Sequence, residues 1–286
     1  MFGRRRDGKK IKNVPPLQKI VPHIMKARHD SQNLFLAEVR CEPMDRFLRQ
    51  MREEGISLSY LHIIICATVR LIAMRPQLNR FVMNGRIFKR HGIYISFVVK
   101  KRLSDDAVDT TVKLKFDGTE DIFQIKKQVD EAVAANSYRA AVNDTDKTAK
   151  FFTSMPNTFI KMAVGLVKWL DKHGMIPKKV LHASPFHTSC FITYMKSIKT
   201  DYIYHHLYDF GTTGIFLGVG KESYRPVVDP ETKEVVAGKV MNVGIVLDER
   251  FCDGLYYANS FRLLTDFFNR PEQLCQPISD LPQDVD

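Results

Sequence analysis

The octapeptide Leu247-Asp248-Glu249-Arg250-Phe251-Cys252-Asp253-Gly254, "LDERFCDG", decides how this chain is read. Before it runs an apolar stretch with Val243, Ile245, Val246 and Leu247; after it comes "LYYANSFRLLTDFFNR", with Leu255, Phe261, Leu264 and Phe268 near helical spacing. A strand, a charged turn and a helix are implied in that order. Such a junction delivers side chains to the end of a sheet.

Working outward, "NLFLAEVRCE" alternates as a strand from Leu34 to Cys41, and "MDRFLRQMREEG" reads as a helix ended by Gly55. The longest apolar run, Leu58–Met74, is interrupted by His62 and Arg70, so it predicts a buried helix and not a membrane span. Ser57 or Ser59 caps it, and Pro76 stops it. "RIFKRH" and "IYISFVVKK" are expected to form a hairpin, followed by the strand "TVKLKF". "EDIFQIKKQVDEAVAANSY" is an amphipathic helix with Ile122, Ile125, Val129 and Val133 on one face. "TFIKMAVGLVKWLDKHG" is helical too, and its apolar face with Trp169 reads as core packing. The last third is strand-rich: "CFITYM", "GIFLGVGK" and "YRPVVDPETKEVVAGKVMNVGIVL". The expected class is α/β, an α+β two-layer sandwich with long antiparallel strands near the end.

The chain has 286 residues and a net charge of +11. Much of the excess sits in Arg4, Arg5, Arg6, Lys9, Lys10 and Lys12, so residues 1–16 are expected to be a basic flexible arm and 17–286 a single domain. No helix carries a basic stripe and no RNA-binding aromatic signature occurs, so the arm reads as solubilising; a nucleic-acid binder is the third reading. The five cysteines are scattered without metal-ligand spacing, which argues against zinc and disulfides and for a cytoplasmic setting. "GVGK" lacks the spacing of a phosphate-binding loop, and no G-x-S-x-G elbow exists for a serine hydrolase.

Four stretches together carry a resemblance. "RPQLNRFVMNGRIFKRHGIYISFVV" resembles a P-x-L-N turn with a hairpin; "CFITYMKSI" a short strand bearing a serine or threonine; "GIFLGVGK" an A-I-L-G-V-G strand; and "LDERFCDGLYYANSFRLLTDFFNRPEQL" a strand, a D-H-R-x-x-D-G motif and a final helix. In this order they resemble the acyltransferase core of 2-oxoacid dehydrogenase complexes and its relative chloramphenicol acetyltransferase, over residues 17–274. The resemblance implies the chloramphenicol-acetyltransferase-like fold, coenzyme A as acyl donor, a small-molecule acceptor, and homotrimers or assemblies of trimers with sites between subunits. No metal, lipoyl attachment site or membrane is implied. Residues 145–187 read as an insertion.

The family's catalytic histidine falls on Glu249. Thr193 takes the place of the hydroxyl that holds the oxyanion, and Asp253 that of a structural carboxylate, with Arg28 as its partner. Gly254 and Asn79 support the motif turns. His205 and His206 offer a substitute base, although an exposed or structural pair is the plainer reading. The resemblance therefore implies acyl transfer from an acyl-coenzyme A thioester to a thiol or hydroxyl, with weak, altered or absent activity left open by the replaced histidine. The alternative is a non-catalytic trimeric scaffold or binding protein that retains the fold.

Overall fold

The most apolar run of the chain becomes helix α3, Tyr60–Met74, with almost every side chain buried. Its two polar interruptions are both hydrogen-bonded, though the buried Nε of Arg70 has no acceptor among the described residues. His62 Nδ1 accepts from the Ser59 amide at 3.1 Å, and its Nε2 lies 3.0 Å from Asp130. Arg70 donates to the carbonyls of Gln273 (2.7 Å), Gln276 (2.5 Å) and Glu120 (3.2 Å). Polar side chains inside an apolar helix persist when their hydrogen bonds are made.

This computed structural model describes residues 5–100, 109–136, 156–229 and 231–286. Around α3 lie β1 (Gly8–Lys10), α1 (Pro16–Ile24), β2 (Gln32–Arg40), α2 (Glu42–Glu53), β3 (Arg80–Met83), β4 (Arg86–Arg90), β5 (Ile93–Lys100), β6 (Asp109–Phe116) and α4 (Ile122–Ala135). Then come α5 (Asn157–Lys172), α6 (Lys178–Ala183), β7 (Cys190–Tyr194), β8 (Ile215–Val228), β9 (Val235–Asp248) and α7 (Gly254–Asn269). A six-stranded mixed sheet has the order β2-β9-β8-β7-β5-β6, and a three-stranded sheet the order β1-β4-β3.

Alternation along the strands divides the large sheet's faces. Ile215, Leu217, Val243, Ile245 and Leu247 join α2, α3, α4 and α7 in the main core. Phe191, Phe216 and Val246 point the other way, onto Leu207. The irregular segment 200–212 covers this second face over β8 and β9, while α6 lies over its β5–β6 part, where Lys113 donates to the Leu181 and Ser184 carbonyls. The segment comes very close: a Cβ on Gly218 or Gly244 would lie 2.2 or 2.4 Å from the Ile203 carbonyl. Only glycine fits at these two paired positions.

Three expectations are corrected. First, "RIFKRH" and "IYISFVVKK" are not hairpin partners. β4 pairs with β3 across Asn84-Gly85, while β5 pairs with β6 and β7 in the other sheet. Asn84 and Gly85 both have positive φ (51° and 67°), which suits a tight two-residue turn. Second, the basic arm is built into the body from Arg5 onward. Gly8–Lys10 pair with Phe88–Arg90, and Ile11 and Val14 are buried. Arg5 is buried against Asp7 and Asp171. Third, α5 is not core. Ile160, Ala163, Val167 and Leu170 are half-buried, whereas Phe159, Met162, Leu166 and Trp169 are exposed. The expected insertion at 145–187 falls outside the described residues before Pro156. Among the described residues no helix is long and apolar enough to cross a membrane.

Candidate functional site

The turn after β9 is fixed from within. Asp248 is fully buried and accepts from Arg250 Nε (2.8 Å) and Nη2 (2.7 Å). Arg250 also donates to the carbonyls of Lys26 (3.1 Å) and Met25 (3.3 Å). Ser31 Oγ donates to Asp248 at 3.2 Å, and the Tyr257 hydroxyl donates to the Asp248 carbonyl at 2.7 Å. This buried pair, which sequence reasoning did not single out, anchors the motif. Its signal was present: an acid at the end of an apolar strand with an arginine two residues on.

Glu249 stands between these anchors with a half-buried side chain. Its amide donates to the Ser31 carbonyl at 2.9 Å, and its carboxylate accepts from the Asn33 side-chain amide at 2.7 Å. It sits at the edge of the sheet, where β2 pairs with β9.

Asp253 is exposed and caps α7, accepting from the Tyr256 amide at 2.8 Å. An acid at a helix N-terminus satisfies a free amide and suits the helix dipole. Its expected partner Arg28 is engaged elsewhere: the buried guanidinium donates to the Val82 carbonyl at 2.9 Å and to the Tyr208 carbonyl at 3.4 Å. The arginine of the turn pairs with Asp248 instead. Gly254 is open: a Cβ at this position would meet no atom within 4 Å. Asn79 bridges two segments, donating to the Gly92 carbonyl at 3.0 Å and accepting from Ser189 at 2.5 Å.

Thr193 is half-buried near the end of β7. It pairs with Gly218, which pairs with Gly244, five residues before Glu249. At roughly 3.3 Å per residue and 4.8 Å per strand, Thr193 and Glu249 lie about 19 Å apart in one chain. Just past the end of β7, on the face that Tyr194 shares with Tyr60 and opposite to that of Thr193, is a cluster that the sequence did not reveal. Tyr60 donates to Asp45 at 2.7 Å, Lys239 donates to Asp45 at 2.9 Å, and Lys196 pairs with Glu222 while lying 4.2 Å above the Tyr60 ring.

His205 stacks on Phe216 (4.2 Å, 8°), and its Nδ1 lies 3.0 Å from the His206 carbonyl. Burial pushes its pKa below the usual histidine value. His206 is exposed. The carboxylate of Glu249 is engaged by Asn33 and not by this pair. Among the described residues, no group of three or more His, Cys, Asp or Glu is placed to hold a metal.

No family model and no curated protein matches the chain. Solved structures do. A probable dihydrolipoamide acetyltransferase from Listeria monocytogenes 4b F2365 superposes with a TM-score of 0.57 at 14% identity, over 96% of this chain and 99% of that one. The cubic core of the pyruvate dehydrogenase multienzyme complex gives 0.59 at 13% identity, over 93% and 94%. A chloramphenicol acetyltransferase gives 0.56 at 12% identity, over 91% and 99%. The likeness runs nearly end to end on both sides. The chain has the fold shared by the acyltransferase cores of 2-oxoacid dehydrogenase complexes and chloramphenicol acetyltransferase.

Proposed function

We propose that this protein is a coenzyme A-dependent acyltransferase-like protein in which Glu249 stands where the fold's other members place a base. The observation that carries the reading is the buried Asp248–Arg250 pair, which presents residue 249 at the sheet edge. Thr193 supplies the hydroxyl for an oxyanion, and Tyr60, Lys196 and Lys239 supply an aromatic face and cations suited to a nucleotide thioester. Both lysines already have acidic partners, so coenzyme A would compete with Asp45 and Glu222 for them. The working unit is a homotrimer, or an assembly of trimers, with Thr193 of one subunit facing Glu249 of the next. All five cysteines are free thiols, which suits a cytoplasmic setting.

The chemistry asks the base to take the acceptor's proton as its sulfur or oxygen bonds to the thioester carbonyl carbon. The carbon–sulfur bond then breaks, and the coenzyme A thiolate takes up that proton. A thiol has a pKa of about 8.5, an ordinary histidine about 6.5 and an ordinary glutamate about 4.3. Transfer from a thiol to such a glutamate is uphill by about 6 kcal/mol, against about 3 to histidine. The carboxylate also places negative charge near the oxyanion. A carboxylate with that ordinary affinity for protons is a poor base for thiol acylation.

The test is acetyl transfer from acetyl-coenzyme A to a thiol. Glu249→His is expected to create or raise it by about 10²–10⁴-fold, and Glu249→Gln to change little. Robust activity in the native protein that Glu249→Gln destroys would overturn this assignment. Inactivity of every variant favours the second reading, a trimeric scaffold, which the hydrogen bond tying Glu249 to Asn33 also supports.

A further inference from the structure

A cavity of about 560 Å³ opens among α1, the β3–β4 turn, the C-terminal half of α5 and the loop 209–211. Lys26, Arg28, Lys168, Lys172 and Arg250 line it, against only two acids, Asp171 and Asp209. Both acids are already engaged. Asp171 accepts from Arg5 at 2.6 Å and lies 3.1 Å from His187 Nε2. Asp209 accepts from the Arg28 amide at 2.7 Å and lies 2.5 Å from His29 Nδ1. Arg250 is balanced by Asp248.

Arg28 has no carboxylate of the described residues in direct contact with its guanidinium, and burial pushes its pKa down although Asp248, Asp171 and Asp209 act on it through space. Arg28 is 4% exposed, forms no ion pair among the described residues, and its buried Nε has no acceptor there. A buried cation is costly without a counter-charge. Lys26, Lys168 and Lys172 likewise form no ion pair among the described residues and stand at the rim. Four such cations exceed what one carboxylate neutralises. A phosphoryl group offers two charges and several acceptor oxygens, the geometry a guanidinium reads best. The remaining walls, Pro22, Val82, Met83 and Phe210, are apolar, and the volume exceeds that of a bare phosphate ion.

We propose that this cavity binds the phosphoryl group of a small organic phosphate monoester, held by Arg28 with Lys168 and Lys172, its organic part against the apolar wall. Glu249 and Thr193 do not line the cavity, so the assignment does not depend on acyl transfer.

The experiment is calorimetric titration of the full chain at fixed ionic strength with phenyl phosphate, inorganic phosphate and benzoate. Saturable binding at one site per chain is expected, tightest for phenyl phosphate. Lys168→Gln/Lys172→Gln should weaken it at least ten-fold with an unchanged circular dichroism spectrum. Lys178→Gln/Lys179→Gln, exposed and outside the cavity, should leave it unchanged. The proposal is overturned by an absence of saturable binding of phenyl phosphate at millimolar concentration. It is equally overturned by benzoate binding as tightly, or by binding indifferent to the Lys168/Lys172 pair.

Discussion

Thr193 and Glu249 are set at different levels of one sheet: the first is aligned with Gly244, the second lies five residues past it. The two cannot act on one bond within a single chain, because the separation of about 19 Å spans several residue lengths. If both act together, a second copy brings them face to face. Light scattering in dilute buffer should then give close to three times the chain mass of 33.0 kDa. A monomer at every concentration removes the shared site.

The N-terminal segment is expected to be structural. Arg5 is a buried partner of Asp7 and Asp171, and Ile11 belongs to the main core. Arg5→Ala leaves Asp171 buried with less counter-charge and should cost about 3–5 kcal/mol in urea unfolding. Removing residues 1–12 should cost at least as much. A purely solubilising tail would show no change.

Acid should act on the same network. Burial opposes ionisation of Asp171, but the hydrogen bond and charge of His187, together with Arg5, outweigh it and hold its pKa at about 2. An unfolded aspartate titrates near 3.9. The folded value is the lower one, so the stabilisation is complete above about pH 4 and is lost as pH falls toward 2. The loss should be about 2–3 kcal/mol over that window. Asp171→Asn should flatten the stability profile there; an unchanged slope counts against the network.

Two glycines should answer oppositely to alanine. Gly244→Ala drives a Cβ to within 2.4 Å of the Ile203 carbonyl and should destabilise by about 1–3 kcal/mol. Gly254→Ala meets nothing within 4 Å at the start of α7 and should shift stability by less than about 0.5 kcal/mol. Thermal unfolding of the two variants compares them directly. Equal losses would mean that Gly254 is needed for its backbone.

The layers of this fold were legible where pattern and burial agree. The run from Leu58 to Met74 became α3, the alternation in β2 became an edge strand, and the glycine-bearing strands β8 and β9 lie inside it in the sheet. Pairing was harder, because β4 and β5 adjoin in sequence yet serve two sheets; the Asn84-Gly85 dipeptide was the better turn signal. Apolar spacing in α5 gave the helix but not its side, since periodicity does not say whether an apolar stripe meets the body. In the site, the strand–turn–helix junction was readable and held the Asp248–Arg250 pair two residues apart, whereas the displacement of Arg28 from Asp253 depends on segments distant in sequence.

β2 closes the sheet against β9, about two hundred residues further along. During synthesis the N-terminal strand therefore leaves the ribosome long before its partner exists, with the sequence Leu34-Phe35-Leu36 at an unpaired edge. Non-local pairing of this kind slows folding and leaves partly folded chains prone to association. The turn that carries Glu249 forms only when that last pairing is made, so the site is among the final parts of the molecule to come into being.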